Sequence, residues 1–137
     1  MALVATLKLD GKSYDVRELD YEINKPFDNN YKPSAYARGG LINFTILSPM
    51  DKNLVFQEWV TSVADVKSGK FLLPLTHGIK HVDKTISFEK AHCVRLQEFY
   101  SNTNSSQMYM RISICASKIK FSDSVEFRNR ELPEWFI

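Results

Sequence analysis

The sequence predicts a mainly β protein: an antiparallel β-barrel or sandwich with one flanking α-helix at about residues 52–64. Most segments alternate apolar and polar residues with the two-residue period of a β-strand. Short turn sequences separate these segments, the clearest being Asp10-Gly11. Only one stretch repeats its apolar residues with the period of a helix. Many strands with a single helix are typical of a barrel or sandwich.

The first two strands are predicted to form a hairpin. Apolar residues alternate with others over residues 3–9, and Asp10-Gly11 follows directly. An Asp-Gly pair between alternating segments is a strong hairpin signal. In the returning strand the alternation shifts at Arg17 and Glu18, which predicts a β-bulge.

The third strand and the helix come next. Residues 41–47 carry apolar side chains on both faces, so we expect both faces of this strand to be covered. Asp51 stands where a helix N-cap is expected. Apolar residues then recur every four positions, Trp59 and Val63 among them, which predicts the amphipathic helix over residues 52–64.

The remaining segments are again strands. Pro74 predicts an edge or the end of a strand, and the alternation of the next strand breaks near Glu89 and Lys90. The segment over residues 108–116 alternates strictly, with a Met-rich set and a polar set. The Met-rich set is Met108, Met110, Ile112, Ile114 and Ala116, and the polar set is Tyr109, Arg111, Ser113 and Cys115. One set is expected to fill the core, because side chains fill the interior of a barrel this small.

The composition is that of one soluble globular domain spanning residues 1–137. The chain has 137 residues, of which 44% are hydrophobic and 25% charged, enough to build one core. Eighteen Lys and Arg against sixteen Asp and Glu give a net charge of +2 with no basic block, which argues against binding to nucleic acid. No apolar run has the length of a membrane helix or secretory signal, so we expect no signal peptide, no membrane insertion and folding in the cytoplasm. Cys93 and Cys115 are then expected to be buried thiols rather than a disulfide.

No residue pattern indicates catalysis, a metal or a cofactor. His77 and His81 are four residues apart with Asp83 close by, a spacing that suits a metal site on a helix. The segment follows a proline, contains Gly78 and joins two strands, so we expect two solvated loop histidines instead. The chain has neither a nucleophile motif nor a Gly-rich phosphate loop. The prediction is therefore a protein that is not an enzyme.

The loop of residues 25–40, "KPFDNNYKPSAYARGG", is the segment that most suggests a function. Connections without regular structure are usually shorter than about 12–15 residues unless they are functional or disordered. This loop contains Phe27, Tyr31 and Tyr36, so it is not composed like a solvated linker. We expect it to contact a partner, unless its aromatic side chains fold back onto their own barrel.

Several motifs in a fixed order make the chain similar to a known family. They are "LDGKSYDV", "DYEINKPFDNNYKPSAYARGGLINFTI", "LVFQEW", "KSGK", "KTISFEKAHCV" and "MYMRISICASKI", between about Leu7 and Phe121. With these motifs the sequence resembles the tube protein of type VI secretion systems, called TssD or Hcp (haemolysin-coregulated protein), in the form found in Bacteroidetes.

The resemblance implies a fold, an assembly and a set of partners. It implies a β-barrel subunit that forms hexameric rings, which stack into a hollow tube inside a contractile sheath. Sheath, spike and effector proteins are then the partners, and the protein is assembled in the cytoplasm and exported through the system. Two alternatives stay open: a monomeric barrel with a small-ligand pocket between barrel and helix, and a metal-dependent enzyme using His77, His81 and Asp83.

The resemblance also implies roles for the long loop. Residues 25–40 correspond to the family's extended loop between its second and third strands, which contributes to contacts between stacked rings. The implied ring-stacking residues are Phe27, Asp28, Tyr31, Pro33, Tyr36, Arg38, Gly39 and Gly40. Family loops commonly read Asp-x-x-Gly-Arg-Pro-Ser, whereas here Tyr31 replaces the glycine and Lys32 the arginine.

Two further surfaces follow from the tube interpretation. Alternate residues of the barrel strands would line the lumen and hold effectors, with Tyr109, Arg111 and Ser113 or the Met-rich set opposite them as candidates. The apolar tail formed by Trp135, Phe136 and Ile137 would dock on a neighbouring subunit or belong to the protomer's own core.

Overall fold

The computed structural model describes residues 4–33, 36–102, 107–122 and 124–129. In this part of the chain, seven β-strands and one α-helix follow one another. The strands are β1 (Ala5–Leu9), β2 (Lys12–Tyr21), β3 (Leu41–Leu47), β4 (Lys67–His77), β5 (Lys80–Ser101), β6 (Gln107–Phe121) and β7 (Val125–Arg128). The helix α1 spans Val55–Thr61, between β3 and β4. The prediction of a mainly β fold with one helix is confirmed.

The strands close into an antiparallel barrel. Their order is β3-β2-β1-β4-β5-β6-β7, and β3 also pairs with β6, which joins the two sides of the sheet. β6 is long enough to pair with β3 along its first half and with β7 along residues 118–121. β7 therefore takes the place beside β6 that β3 leaves free.

Local backbone features agree with the sequence. Asp10 and Gly11 have φ values of 52° and 77°, the two positive angles of the tight turn that suits the twist of a hairpin. The pairing of β2 with β3 shifts register between Val16 and Glu18, which confirms the predicted bulge. Lys90 also has a positive φ, 49°, where the alternation of β5 breaks.

The helix is shorter than predicted. It begins at Val55 rather than at about residue 52, because Asp51 does not act as its N-cap. The Asp51 carboxylate instead accepts a hydrogen bond from the Asn53 amide at 3.0 Å, and the Asn53 side chain accepts one from the Val55 amide at 3.1 Å. The helix ends at Thr61, since Ser62 has extended backbone angles, and Val63 lies beyond it in an exposed position.

The barrel interior is filled by apolar side chains. On β6, the Met-rich set points inward, because Met110, Ile112, Ile114 and Ala116 are buried and only Met108 is exposed. The polar set of β6 therefore faces away from the core. The core is Leu7, Leu9, Tyr14, Val16, Ile42, Phe44, Ile46, Phe56, Trp59, Phe71, Ile86, Phe88, Ala91, Cys93, Met110, Ile112, Ile114, Ala116, Ile119 and Phe127.

The helix packs against the barrel through two aromatic side chains. Phe56 packs edge-on against Tyr14 with ring centroids 5.1 Å apart, and the Trp59 indole donates a hydrogen bond to the Ala91 carbonyl at 3.1 Å. Both helix side chains are fully buried. These two side chains fill the space between the helix and the barrel, and a groove of about 470 Å³ lies beside the segment that precedes the helix, lined in part by Tyr14, Met50 and Asn53.

β4 and β5 continue beyond the rim of the barrel as a two-stranded ribbon. β1 pairs with β4 only as far as Leu72, and β6 pairs with β5 only from Ile86. Between these points β4 and β5 pair only with each other among the described residues. We call this ribbon, residues 73–84, the arm. Pro74 lies in it where β4 has become an edge strand, as its sequence predicts.

Candidate functional site

The long loop is anchored where it leaves and rejoins the barrel. The backbone groups of Asn24 and Arg38 exchange two hydrogen bonds across its base. The Asn129 side chain donates a hydrogen bond to the Gly39 carbonyl at 3.0 Å, and the Gly40 carbonyl accepts one from the Ala116 amide at 2.7 Å. The base of the loop is therefore fixed to β6 and to the segment after β7.

Gly39 and Gly40 are required by this anchoring. A Cβ atom on Gly39 would lie 2.9 Å from the Glu22 carbonyl oxygen, and one on Gly40 would lie 2.8 Å from the Ala116 carbonyl oxygen. Gly40 also has a φ of +99°, which side chains strongly disfavour. The two glycines thus allow the close backbone approach with which the loop returns to the barrel.

The tip of the loop is a tight turn organised by Asp28. Its carboxylate accepts hydrogen bonds from the Asn30 amide at 2.8 Å and the Lys32 amide at 2.9 Å. Its carbonyl accepts one from the Tyr31 amide at 3.0 Å, and its amide donates one to the Lys32 carbonyl at 2.9 Å. Phe27 and Pro33 pair beside the turn. This region of the loop has a defined backbone rather than that of a random coil.

The turn displays two stacked aromatic side chains. The rings of Phe27 and Tyr31 are 5.6 Å apart at an interplanar angle of 16°. Phe27 is 64% exposed and Tyr31 82% exposed, and Tyr36 is also exposed. These side chains do not fold back into the barrel, so the alternative of a self-covering loop is wrong for them.

Tyr31 has an unfavourable backbone conformation. Its φ is +63°, in the left-handed region that favours glycine. A side chain in this region costs on the order of 1 kcal/mol relative to glycine. Backbone strain of this kind persists where the surrounding structure imposes it, and it clusters at functional sites.

A shallow groove runs between the loop and β7. Its volume is about 440 Å³, and its lining includes Lys25, Tyr36, Glu126 and Arg128. Glu126 lies 3.8 Å from Arg128 within it. The groove makes the exposed aromatic surface continuous with a mixed-charge surface on β7.

The polar set of β6 lies on a second surface, the outward face of β2, β3, β5 and β6. Arg111 is exposed and its guanidinium lies 5.0 Å from the centre of the Phe99 ring. Phe99 in turn stacks on Tyr109 at 5.5 Å. The stack fixes the direction of the Arg111 side chain, since cations are attracted to the faces of aromatic rings.

Beside this stack is a groove with charges of both signs. Its volume is about 240 Å³, and its lining includes Glu18 and Asp20 on β2 and Arg95 and Arg111 on β5 and β6. We call it the charged groove. Its lining residues come from four strands, β2, β3, β5 and β6, so no single segment of sequence contains it.

A chain of hydrogen bonds forms the floor of the charged groove. The Ser113 hydroxyl donates to the Asn43 side-chain oxygen at 2.6 Å, and the Asn43 amide group donates to the Asp20 carboxylate at 2.9 Å. Ser113 is buried. Of the three predicted residues of this face, Arg111 is therefore available to a partner, Tyr109 supports it, and Ser113 organises the floor.

Sequence reasoning missed the other residues of the charged groove. Asp20, Asn43 and Arg95 line the groove but are not among the residues that the sequence predicts for this face. The available signal was a polar residue at every second position of neighbouring strands. That signal becomes specific only when the strand register is known.

The remaining sequence candidates show no catalytic or metal arrangement. His77 pairs with Lys80 and His81 with Thr76, so the two histidines lie in strands and on opposite faces of the arm, not in a loop. His81 lies 3.0 Å from Asp83. No group of three or more His, Cys, Asp or Glu residues that could hold a metal occurs among the described residues. The tail residues Trp135, Phe136 and Ile137 lie outside the described residues.

Both cysteines are free thiols, as expected. Cys93 is buried and Cys115 is half-buried. Burial raises the pKa of Cys93 to about 11, although a backbone hydrogen bond of Arg95 acts in the opposite direction. Burial also raises the pKa of Cys115. Such thiols are protonated at neutral pH and are poor nucleophiles. In the part of the chain that the structure describes, no helix has the length and hydropathy of a membrane span.

Comparisons with known proteins agree on one family. A family model described as "Hemolysin coregulated protein Hcp (TssD)" matches residues 1–130. The solved structure of Hcp1 from Flavobacterium johnsoniae is similar with a TM-score of 0.76 and 24% sequence identity, covering 93% of this chain and 100% of that chain. Hcp1 from the E. coli EAEC 042 pathovar has a TM-score of 0.68 and 16% identity, covering 92% and 97%.

The secreted protein Hcp3 from Pseudomonas aeruginosa is similar with a TM-score of 0.64 and 11% identity, covering 95% of this chain and 100% of that chain. Identities in this range show a shared fold. No curated protein matches the sequence significantly.

Proposed function

The chain belongs to the Hcp (TssD) family, and from this premise we propose that six copies form a ring, that rings stack into a hollow tube, and that the tube carries or chaperones effectors during contractile secretion. The family consists of structural tube proteins of type VI secretion systems and not of enzymes, so this chain is a tube protein without a catalytic role. Its work is therefore assembly and load-bearing, and surfaces rather than reactive groups perform it.

The stacked pair of Phe27 and Tyr31 is the observation that carries the stacking part of the proposal. The turn that bears the pair already satisfies its backbone groups through Asp28. A pre-ordered aromatic surface loses little conformational entropy when it docks, and aromatic side chains bury much apolar area. The loop tip is thus suited to contact a neighbouring ring.

The strain at Tyr31 supports the same role. A glycine would adopt its φ of +63° without cost. The protomer gains only an exposed stacking contact from the tyrosine in return. A side chain that is unfavourable in the isolated subunit and exposed in it is best explained by a contact made after assembly.

The charged groove is the proposed effector surface, on the face that would line the lumen. Its exposed arginines and carboxylates can pair with charges of either sign on a cargo protein. Exposed ion pairs contribute only about 0–1 kcal/mol each, so cargo would be held weakly and released readily. Such reversible binding suits a tube that has to deliver what it carries.

The remaining partners follow from the same proposal. A sheath would surround the tube, and a spike would cap it. The subunit would be assembled in the cytoplasm and then leave the cell through the secretion system. The ends of a stacked tube would expose the loop tips on one side only, since rings stacked head to tail present different faces.

Native mass measurement and negative-stain electron microscopy of the purified protein test this function. We expect six-fold rings, and stacks of rings at high protein concentration. In the double variant Phe27→Ala/Tyr31→Ala we expect single rings to persist while stacks are lost. Tyr100→Ala serves as the matched control, because Tyr100 is an exposed tyrosine on β5 outside the loop. A wild-type protein that stays monomeric at high concentration would contradict the proposal.

A further inference from the structure

The arm has a feature that the barrel alone does not explain. Every residue from 75 to 84 is exposed, and this part of the ribbon packs on no other described element. A two-stranded ribbon with no packed face is only marginally stable in water. The arm nevertheless keeps regular pairing from Leu73–Lys84 to His77–Lys80.

The two faces of the arm differ in chemistry. One face carries the directly paired Leu75 and Val82, which are 52% and 59% exposed. It continues the inward face of the barrel, because the buried Phe71 lies four positions before Leu75 on β4 and the buried Ile86 lies four positions after Val82 on β5. The row of core side chains therefore runs past the rim and remains uncovered.

Positive charge flanks this apolar pair on the same face. Lys84 pairs with Leu73 and Lys80 with His77, and both positions share the side of Leu75 and Val82. The only carboxylate of the arm, Asp83, lies on the opposite face beside His81. The face of the arm that carries Leu75 and Val82 thus combines an apolar centre with two cations. A complementary partner surface would have an apolar centre and carboxylates.

The chain itself carries such a surface beside the helix. Met50 and Leu54 are exposed apolar residues, and Asp51 and Glu58 are exposed carboxylates in the same short segment, which also carries the exposed Lys52. Asp51 also lies 3.9 Å from Lys12. Leu54 and Glu58 lie one helical turn apart, since the Glu58 amide donates to the Leu54 carbonyl at 2.9 Å. We call Met50, Asp51, Leu54 and Glu58 the helix patch.

The other large exposed apolar surface does not complement the arm. The loop around Phe27 and Tyr31 carries Lys25, Lys32 and Arg38 against the single carboxylate Asp28. Like charges would oppose docking of the lysine-flanked arm there. The segment of the helix patch has two carboxylates against one lysine, Lys52, so it repels the arm less than the loop does.

We propose that the arm of one copy docks its apolar face on the helix patch of the next copy around the ring. Leu75 and Val82 would cover Met50 and Leu54, while Lys80 and Lys84 would lie beside Asp51 and Glu58. The contact joins two different surfaces of the same chain, and head-to-tail contacts of this kind generate rings when the rotation closes. The inference rests on the proposed ring assembly and names the surfaces that hold it together.

A second copy is the occupant that fits an apolar face of this kind. An uncovered apolar stripe on every free subunit would favour non-specific association, so it needs a partner present in equal number. The next subunit of a ring meets this requirement for every copy, whereas a spike meets only the end of a tube.

The test uses a matched pair of single variants. Val82→Glu places a carboxylate on the docking face, and Thr76→Glu places one on the opposite face of the same ribbon. We expect Val82→Glu to abolish the hexamer in native mass measurement and Thr76→Glu to keep it. Circular dichroism and a thermal melt check that the barrel stays folded, since both residues are exposed in the protomer.

A charge exchange identifies the partner surface. Lys80→Glu/Lys84→Glu and Asp51→Lys/Glu58→Lys should each lose rings, and the four substitutions combined should restore them. Rings that persist in Val82→Glu and in both charge variants would overturn the arm contact while leaving the proposed tube function intact. Loss without restoration in the combined variant would overturn the helix patch as the receptor. A wild-type protein without rings would instead reject the tube assembly itself, and the arm contact with it.

Discussion

The long loop and the arm both project from the barrel, yet they keep their shapes by different means. The loop has irregular backbone and is held by side-chain hydrogen bonds, chiefly those of Asp28 at its tip and Asn129 at its base. The arm has regular backbone and is held by the ladder between β4 and β5. The loop is therefore specified by individual residues, whereas the arm is specified by pairing and alternation.

This difference has a consequence for how each segment can change. A loop fixed by a few polar contacts loses its form when one of them is removed. A ribbon fixed by a ladder of backbone hydrogen bonds tolerates most side-chain changes, so its exposed side chains are free to serve a partner. Three comparisons between the two segments and one within the arm test this view, in order of expected effect.

The largest difference is expected between the stability losses caused by replacing a glycine in each segment with alanine. Gly40→Ala at the loop base is expected to reduce the free energy of unfolding by about 3 kcal/mol, since the new Cβ meets carbonyl and side-chain atoms in addition to an unfavourable φ. Gly78→Ala at the arm tip also has a positive φ but meets nothing within 4 Å, so about 1 kcal/mol is expected. Denaturant unfolding measures both, and equal losses would show that steric contact at the loop base is unimportant.

The next largest difference is expected between the stability losses caused by removing one aspartate carboxylate from each segment. Asp28→Ala removes the acceptor of two backbone amides and is expected to destabilise the loop tip by about 1–2 kcal/mol. Asp83→Ala in the arm removes one exposed contact with the His81 side chain and should cost no more than about 0.5 kcal/mol. Hydrogen exchange of the Asn30 and Lys32 amides reports the first change. Unchanged protection of these amides would mean that the turn does not depend on the Asp28 side chain.

The strain at Tyr31 can be measured by comparing two substitutions that both remove the ring. Tyr31→Gly should be more stable than Tyr31→Ala by about 1 kcal/mol, because only glycine adopts a φ of +63° without cost. At the extended arm position Thr76 the order should reverse, with alanine more stable than glycine. Denaturant unfolding of the four variants gives both differences. An alanine as stable as glycine at position 31 would show that the backbone there is not strained.

The smallest effect on the stability of the protomer is expected from substitutions on the apolar face of the arm. Leu75→Ser is expected to change the free energy of unfolding of the monomer by less than about 0.5 kcal/mol, because this leucine is half exposed and packs outside the core. Leu73→Ser, at the start of the arm, should cost more, since Leu73 is partly buried against the core. A thermal melt at low protein concentration distinguishes the two. A large loss for Leu75→Ser would place that side chain in the protomer's own core.

The sequence by itself determined the architecture. The two-residue alternation identified the strands, Asp10-Gly11 fixed the first turn, and the two sets of β6 separated core from surface. These features are local, because side-chain direction in a strand follows from position parity and turn geometry from residue type. The family also followed from the order of motifs along the chain. The limits of the helix did not, because Asn53 rather than Asp51 holds its first turn.

Only the tertiary structure decided the surfaces. Asp20, Asn43 and Ser113 are far apart in sequence and meet because the register of β2, β3 and β6 brings them together. The arm exists because β4 and β5 extend beyond the ends of the neighbouring strands β1 and β6. The sequence of a single strand does not show this difference in length. Alternation tells which side chains share a face of a strand. Whether that face is covered depends on which neighbours reach it, and that is a property of the assembled barrel.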